Sequence, residues 1–232
     1  DLLFALLLPL KIHYQLNASD WLFGEAACRV LTAAYYCYMY CSILLMMCMS
    51  VDRLLAVVFP VASLTWRNAR KASLICALVW LLALAGTVPL LLMRQTFQIE
   101  DVGVTCHDAL IHNNPKDQQY LYVFFILSCF YYFVPLIITI VSYSTIIYVL
   151  LKGSAGKSRK RAVILIVTVL ITFLVCFIPS NVMLVVHYSL LRNNSFNASY
   201  GFYLTALCIA SLNSCLDPFI YYYVSDDFRE EV

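Results

Sequence analysis

The stretch CRVLTAAYYCYMYCSILLMMCMSVDRLLAVV, Cys28 to Val58, decides the architecture. It is apolar for longer than the roughly 20 residues an α-helix needs to cross the hydrocarbon core of a bilayer. Asp52 and Arg53 come only near its end, and at 1.5 Å of rise per residue Arg53 lies roughly 37 Å along a helix from Cys28. The two therefore sit on opposite sides of a membrane. The rest of the chain has the same character: 63% hydrophobic, 15% aromatic and only 12% charged residues, with a mean hydropathy of +0.83, far from a soluble-domain profile. Further apolar runs cover 2–16, 73–93, 120–151, 162–190 and 201–224. Six glycines and no ten-residue alternation of apolar and polar positions argue against a transmembrane barrel. The expectation is an all-α membrane protein, a helix bundle forming a single transmembrane domain over 1–232.

Charges and sequons orient it. Arg67, Arg70 and Lys71 follow the second run, Lys152, Lys157, Arg159, Lys160 and Arg161 follow the fourth, and Arg229 follows the last. These loops are expected to be cytoplasmic. The alternate loops carry three glycosylation sequons, at Asn17, Asn193 and Asn197, which fit the opposite, extracellular side. The chain starts at Asp1, inside an apolar run and without a methionine. We expect a preceding helix to be missing, so that a seven-helix parent is represented by helices 2–7 and the start of helix 8.

Eight of the ten cysteines lie within apolar runs, where a free thiol packs as a small hydrophobe. Cys28 and Cys106 lie on the outer side, and a disulfide between them is expected. Nothing has the spacing of a zinc site, a catalytic triad or a phosphate-cradling glycine loop, and nothing points to nucleic acid or to an enzyme. Asp1 and Asp217 are costly inside a bilayer. With Ser42, Asn213 and Ser214 they either hydrogen-bond between helices or offer a hard oxygen set for a small cation such as sodium. Asp52 beside Arg53 is either a snorkelling pair or a lock that opens to a partner.

SVDRLLAVVFP (Ser50–Pro60), CFIP (Cys176–Pro179) and DPFIY (Asp217–Tyr221) resemble the DRY, CWxP and NPxxY motifs of rhodopsin-like G-protein-coupled receptors, with Trp80, Pro135 and Tyr143 at matching anchor positions. Leu54, Phe177 and Asp217 depart from the tyrosine, tryptophan and asparagine of those motifs. CHDAL (Cys106–Leu110), WLFGEAAC (Trp21–Cys28), MYCSILL (Met39–Leu45), PSNVMLVVHYS (Pro179–Ser189) and LNSCLDPFIYYYVS (Leu212–Ser225) are similar to the protease-activated, or thrombin-receptor, group. RQTF, CHDAL and YYYVSDDFR look most like its fourth member, while LNASDWLFGE leans to the second and third.

The resemblance implies a receptor activated when a thrombin- or trypsin-type serine protease unmasks a tethered N-terminal peptide agonist, and coupled to a heterotrimeric G protein. His107, Asp108 and Leu110 on the loop, with Tyr36, His187, Tyr188, Tyr200 and Tyr203, would form the ligand mouth. Asp108 would pair with the peptide amine or with a basic ligand side chain, and His107 would donate a hydrogen bond. Asp52, Arg53, Tyr143, Phe173, Phe177, Pro179, Asp217, Pro218 and Tyr221 would transmit the signal, with sodium as an allosteric ion and no other cofactor. Tyr14, Tyr120 and Tyr122 read as members of an interfacial belt, and the pocket reads as acidic and aromatic, with no buried lysine or arginine at its upper helix positions. Membrane lipid is the surrounding partner, with Phe228 a further anchor. A nucleotide or lysolipid receptor is the nearest alternative; a transporter using Asp1 and Asp217 is a remoter one.

Overall fold

The computed structural model describes residues 2–17, 20–59, 61–63, 68–99, 103–107, 114–152, 157–191, 202, 204–212 and 215–216, and for 2–5, 99, 157–163 and 187–191 it describes the backbone alone. Five long helices run through it: α1 (Leu2–Leu16), α2 (Gly24–Val58), α3 (Ala69–Leu92), α4 (Pro115–Lys152) and α5 (Lys157–Leu191). Residues 204–212 form a further helical stretch, α6. Among the described residues, the spans of α2, α3, α4 and residues Ile164–Val186 of α5 are long and apolar enough to cross a membrane. Helices α2, α3 and α4 start a few residues before their apolar runs do, because polar and charged residues such as Glu25, Arg70 and Asp117 extend them beyond the apolar stretch. At the start of α3 the Asn68 side chain accepts a hydrogen bond from the Arg70 N–H at 3.1 Å, satisfying one of the donors a helix leaves open.

Helix α2 is the hub. It packs against α3 and α4, and α4 packs in turn on α3 and α5. Its buried face contributes Tyr36, Met39, Tyr40, Ile43 and Met46 to a core shared with Ala83 and Leu90 of α3, Phe124 and Tyr132 of α4, and Phe173, Phe177 and Leu184 of α5. In lipid, no hydrophobic force draws one apolar helix to another, so close approach and interhelical hydrogen bonds decide the packing. Gly86 provides such an approach: a Cβ there would lie 3.0 Å from the Tyr131 ring, which is held in place by a 2.8 Å hydrogen bond from its hydroxyl to the Leu82 carbonyl. Trp80, at a matching anchor position, is 39% exposed on α3.

The loop between α3 and α4 contains a two-stranded antiparallel sheet, β1 (Thr96–Ile99) and β2 (Gly103–Cys106), with Thr96 opposite Cys106 and Ile99 opposite Gly103. The sequence reading had this as a polar loop, since four-residue strands are too short to give a readable alternation. Its closing residue Gly103 has φ +103°, and a Cβ would fall 2.6 Å from Asp20 Oδ1. Only glycine meets both demands.

Candidate functional site

The hairpin is tied down at one end of the bundle by five independent attachments. Cys28, at the start of α2, is disulfide-bonded to Cys106 at the end of β2, as the sequence led us to expect. The Tyr14 hydroxyl of α1 accepts the Cys106 N–H at 3.1 Å. Tyr14 is only 1% exposed and stands edge-on to Trp21, so the interfacial role read for it gives way to a packed one. The Trp21 N–H donates to the Val104 carbonyl at 2.7 Å, and Asp20 accepts the Val104 N–H at 2.9 Å. Trp21, Cys28, Leu31, Tyr14 and Cys106 close a small core beneath these contacts.

The fifth attachment is Glu25. One carboxylate oxygen accepts the Gln95 N–H at 2.9 Å, and the other accepts the Thr96 N–H at 2.8 Å and the Thr96 hydroxyl. Arg29, one turn on, pairs with the same carboxylate at 2.5 Å and donates to the Leu91 carbonyl at 3.2 Å. The end of α3, the start of β1 and the start of α2 thus meet on one acid. Sequence reading missed Glu25, because an acid in a first helical turn is ordinary on macrodipole grounds; no local signal announces its long-range partners.

Past β2 the chain turns at His107, which has φ +64° and is 6% exposed. Its N–H donates to the Gln95 carbonyl at 3.0 Å, and its ring stands edge-on to Tyr36 at 5.7 Å. Tyr36 is itself buried and packed on Phe124 and Tyr40. His107 and Tyr36 are the two mouth residues that the described structure brings together. Asp108, Leu110, Tyr200 and Tyr203 lie outside the described residues, and for His187 and Tyr188 only the backbone at the end of α5 is described.

Beneath His107 opens a cavity of about 510 Å³ bounded by α1, α2, α6 and the Cys106–His107 hook. Leu7, Ile12, Leu31, Leu204 and Leu207 make its walls apolar, while Tyr35, Tyr36 and Thr32 supply hydroxyls. The Tyr35 hydroxyl donates to the Leu207 carbonyl at 3.1 Å, joining α2 to α6 across the cavity. Lys11 of α1, which is half-buried, also lines it. An apolar chamber with few convergent polar groups under a rigid cover is the form expected of a small-ligand or peptide-end site.

Asp52 and Arg53 are both exposed near the other end of α2. Phe173 and Phe177, each 1% exposed, pack with tilted rings at 5.3 Å on α5, just before Pro179. The Ser180 hydroxyl and the Asn181 amide both donate to the Phe177 carbonyl, at 3.0 and 2.9 Å, in the turn that contains Pro179. Tyr143 is buried on α4. Ser42 is half-buried on α2, whereas Asp1, Asn213, Ser214, Asp217, Pro218, Tyr221, Asn193 and Asn197 lie outside the described residues. Asn17, at the end of α1, is exposed and contacts the His13 ring.

Residues 1–221 match the 7 transmembrane receptor (rhodopsin family). The whole chain aligns at 46% identity with proteinase-activated receptor 1 of Papio hamadryas and of Homo sapiens, covering 55% of each, and at 41% with proteinase-activated receptor 2 of Rattus norvegicus, covering 59%. The chain thus spans little more than half the length of these curated relatives. It belongs to the rhodopsin family of seven-transmembrane receptors, and within that family it is similar to the proteinase-activated receptors.

Proposed function

We propose that the chain is the membrane-spanning core of a G-protein-coupled receptor switched on when a thrombin- or trypsin-type serine protease unmasks a peptide tethered on its N-terminal side. The observation that carries this reading is the cavity under a hairpin held by a disulfide, a carboxylate and a buried tyrosine. A tethered peptide arrives at high effective concentration, so it needs a preformed mouth more than a deep, enclosing one. Its end would enter beneath His107 and Tyr36. Asp108, Leu110, His187, Tyr188, Tyr200 and Tyr203 would complete the rim, with Asp108 taking the peptide amine.

The hairpin side, with sequons Asn17, Asn193 and Asn197, would face outward, and the basic loops inward, in the plasma membrane. Ligand contacts would bias a two-state bundle. Phe173, Phe177 and Pro179 would carry the change along α5, and Arg53 would leave Asp52 to meet the G protein, with Tyr143, Asp217, Pro218 and Tyr221 around it. Asp1, Ser42, Asn213, Ser214 and Asp217 would hold an allosteric sodium ion in the resting state, tested by agonist affinity in sodium chloride against choline chloride.

The test is calcium mobilisation in cells expressing the full-length parent, with a second coupling readout in parallel. Thrombin or trypsin, and a free peptide copying the unmasked N-terminus, should both elicit a response, and Asp108→Asn should weaken it. A surface-expressed receptor silent to both in both readouts would refute the reading.

A further inference from the structure

Lys11 has no place in the expected mouth, yet its position in the cavity constrains how a peptide can lie there. Apart from the His107 imidazole, it is the one ionisable cation among the described residues lining the cavity, and no described carboxylate pairs with it. Its ammonium lies 5.2 Å from the centroid of the Tyr14 ring, a cation–π distance. Tyr14 in turn holds the Cys106 N–H. Lys11 is therefore poised beside the hook, in a wall that is mostly apolar.

An ammonium in such a wall selects for acceptors. Like charges repel, so a peptide's own N-terminal amine is disfavoured next to the half-buried Lys11. Carbonyl oxygens or a carboxylate can, and their hydrogen bonds from a charged donor are stronger than those between neutral groups. A single cation without a surrounding basic cluster suits peptide carbonyls better than a phosphate.

We infer that Lys11 is a ligand-contact residue that sets the direction of the bound peptide: it donates to acceptor oxygens of the agonist's leading residues, whose apolar side chains fill the Leu7, Leu31 and Leu207 wall, while the agonist amine is held away from it. The inference rests on the peptide-receptor reading above. It adds a specificity of its own, since a base beside the hook repels the amine and favours acceptor oxygens, which biases the way the peptide points.

The experiment uses the full-length receptor and a synthetic six-residue peptide copying its own unmasked N-terminus, in free-amine and N-acetyl forms. Surface expression is measured by an epitope tag. Lys11→Met and Lys11→Gln should each raise the half-maximal concentration of the free-amine peptide by about 10- to 100-fold, the loss of one charged hydrogen bond. Lys11→Arg should recover most of the potency, which a lysine needed only for folding would not require. The penalty for N-acetylation should be the same in wild type and Lys11→Gln, because the amine is bound elsewhere. A responsive wild type with unchanged or improved potency in both neutral variants would overturn this inference alone. So would variants that keep the peptide response but lose one to lysophosphatidic acid, which would assign Lys11 to a phosphate. A wild type silent to protease and peptide would overturn the receptor reading, and this inference with it.

Discussion

Replacing Glu25 with alanine should release the hairpin although the disulfide remains. The carboxylate accepts two backbone N–H groups and one hydroxyl from Gln95 and Thr96. Gln95 is fully buried and Thr96 is 8% exposed, so water can replace the lost acceptor only if β1 moves. A buried donor left without a partner costs about 1–3 kcal/mol. Two backbone donors and the hydroxyl give about 3–5 kcal/mol once the contributions of a shared, partly exposed acid are allowed to overlap. Glu25→Gln keeps one acceptor oxygen but points an amide donor at another donor, so it should cost about 1–3 kcal/mol. For a chain of this size each kcal/mol moves the melting temperature by about 2–4 °C. The alanine variant should therefore melt roughly 10 °C lower in detergent. Amide hydrogen exchange gives the local readout: the Gln95 and Thr96 amides should exchange much faster, while the central turns of α2 keep their protection. Unchanged melting together with protected β1 amides would refute the reasoning.

Three further substitutions test the same packing. Tyr14→Phe removes the acceptor of the Cys106 N–H and should cost about 1–3 kcal/mol, read as lower thermal stability in the purified receptor; an unchanged melting curve would count against the buried role of Tyr14. Gly103→Ala combines a positive φ with a clash on Asp20 and should cost about 1–3 kcal/mol, with faster exchange at Val104; wild-type protection there would contradict the turn geometry. Gly86→Ala drives a methyl against a Tyr131 ring anchored to Leu82 and should destabilise the α3–α4 contact by about 1–3 kcal/mol, and Tyr131→Phe in the same background should relieve part of that loss by freeing the ring.

The helices were legible because the membrane imposes one rule on each: a long apolar run with its polar ends outside. That is why Cys28–Val58 reads correctly with no other information. The disulfide was legible by location, since the other eight cysteines fall inside apolar runs while Cys28 stands at the outer start of one and Cys106 in the outer loop. The hairpin clamp was not. Glu25, Asp20 and Tyr14 take their roles from partners between 70 and 92 positions away in sequence, and local spacing carries no trace of such pairings. Lys11 was overlooked for a related reason: in an apolar run a lysine reads as a snorkelling surface residue, and only the approach of α2, α6 and the hook turns its side into a cavity wall. Tyr36 and His107 were reached through resemblance, and the structure puts their rings in contact.

The central claim is that the unmasked peptide end lies in the chamber beneath the hook. Photo-cross-linking tests it most directly, with a photoreactive phenylalanine analogue placed singly at Leu31, at Leu207 or at the exposed Trp80 of the full-length receptor, followed by a labelled copy of its own N-terminal peptide. The account predicts a covalent adduct at Leu31 and Leu207, suppressed by unlabelled peptide, and none at Trp80. Adducts absent from both cavity positions while the peptide still activates those same receptors would contradict it.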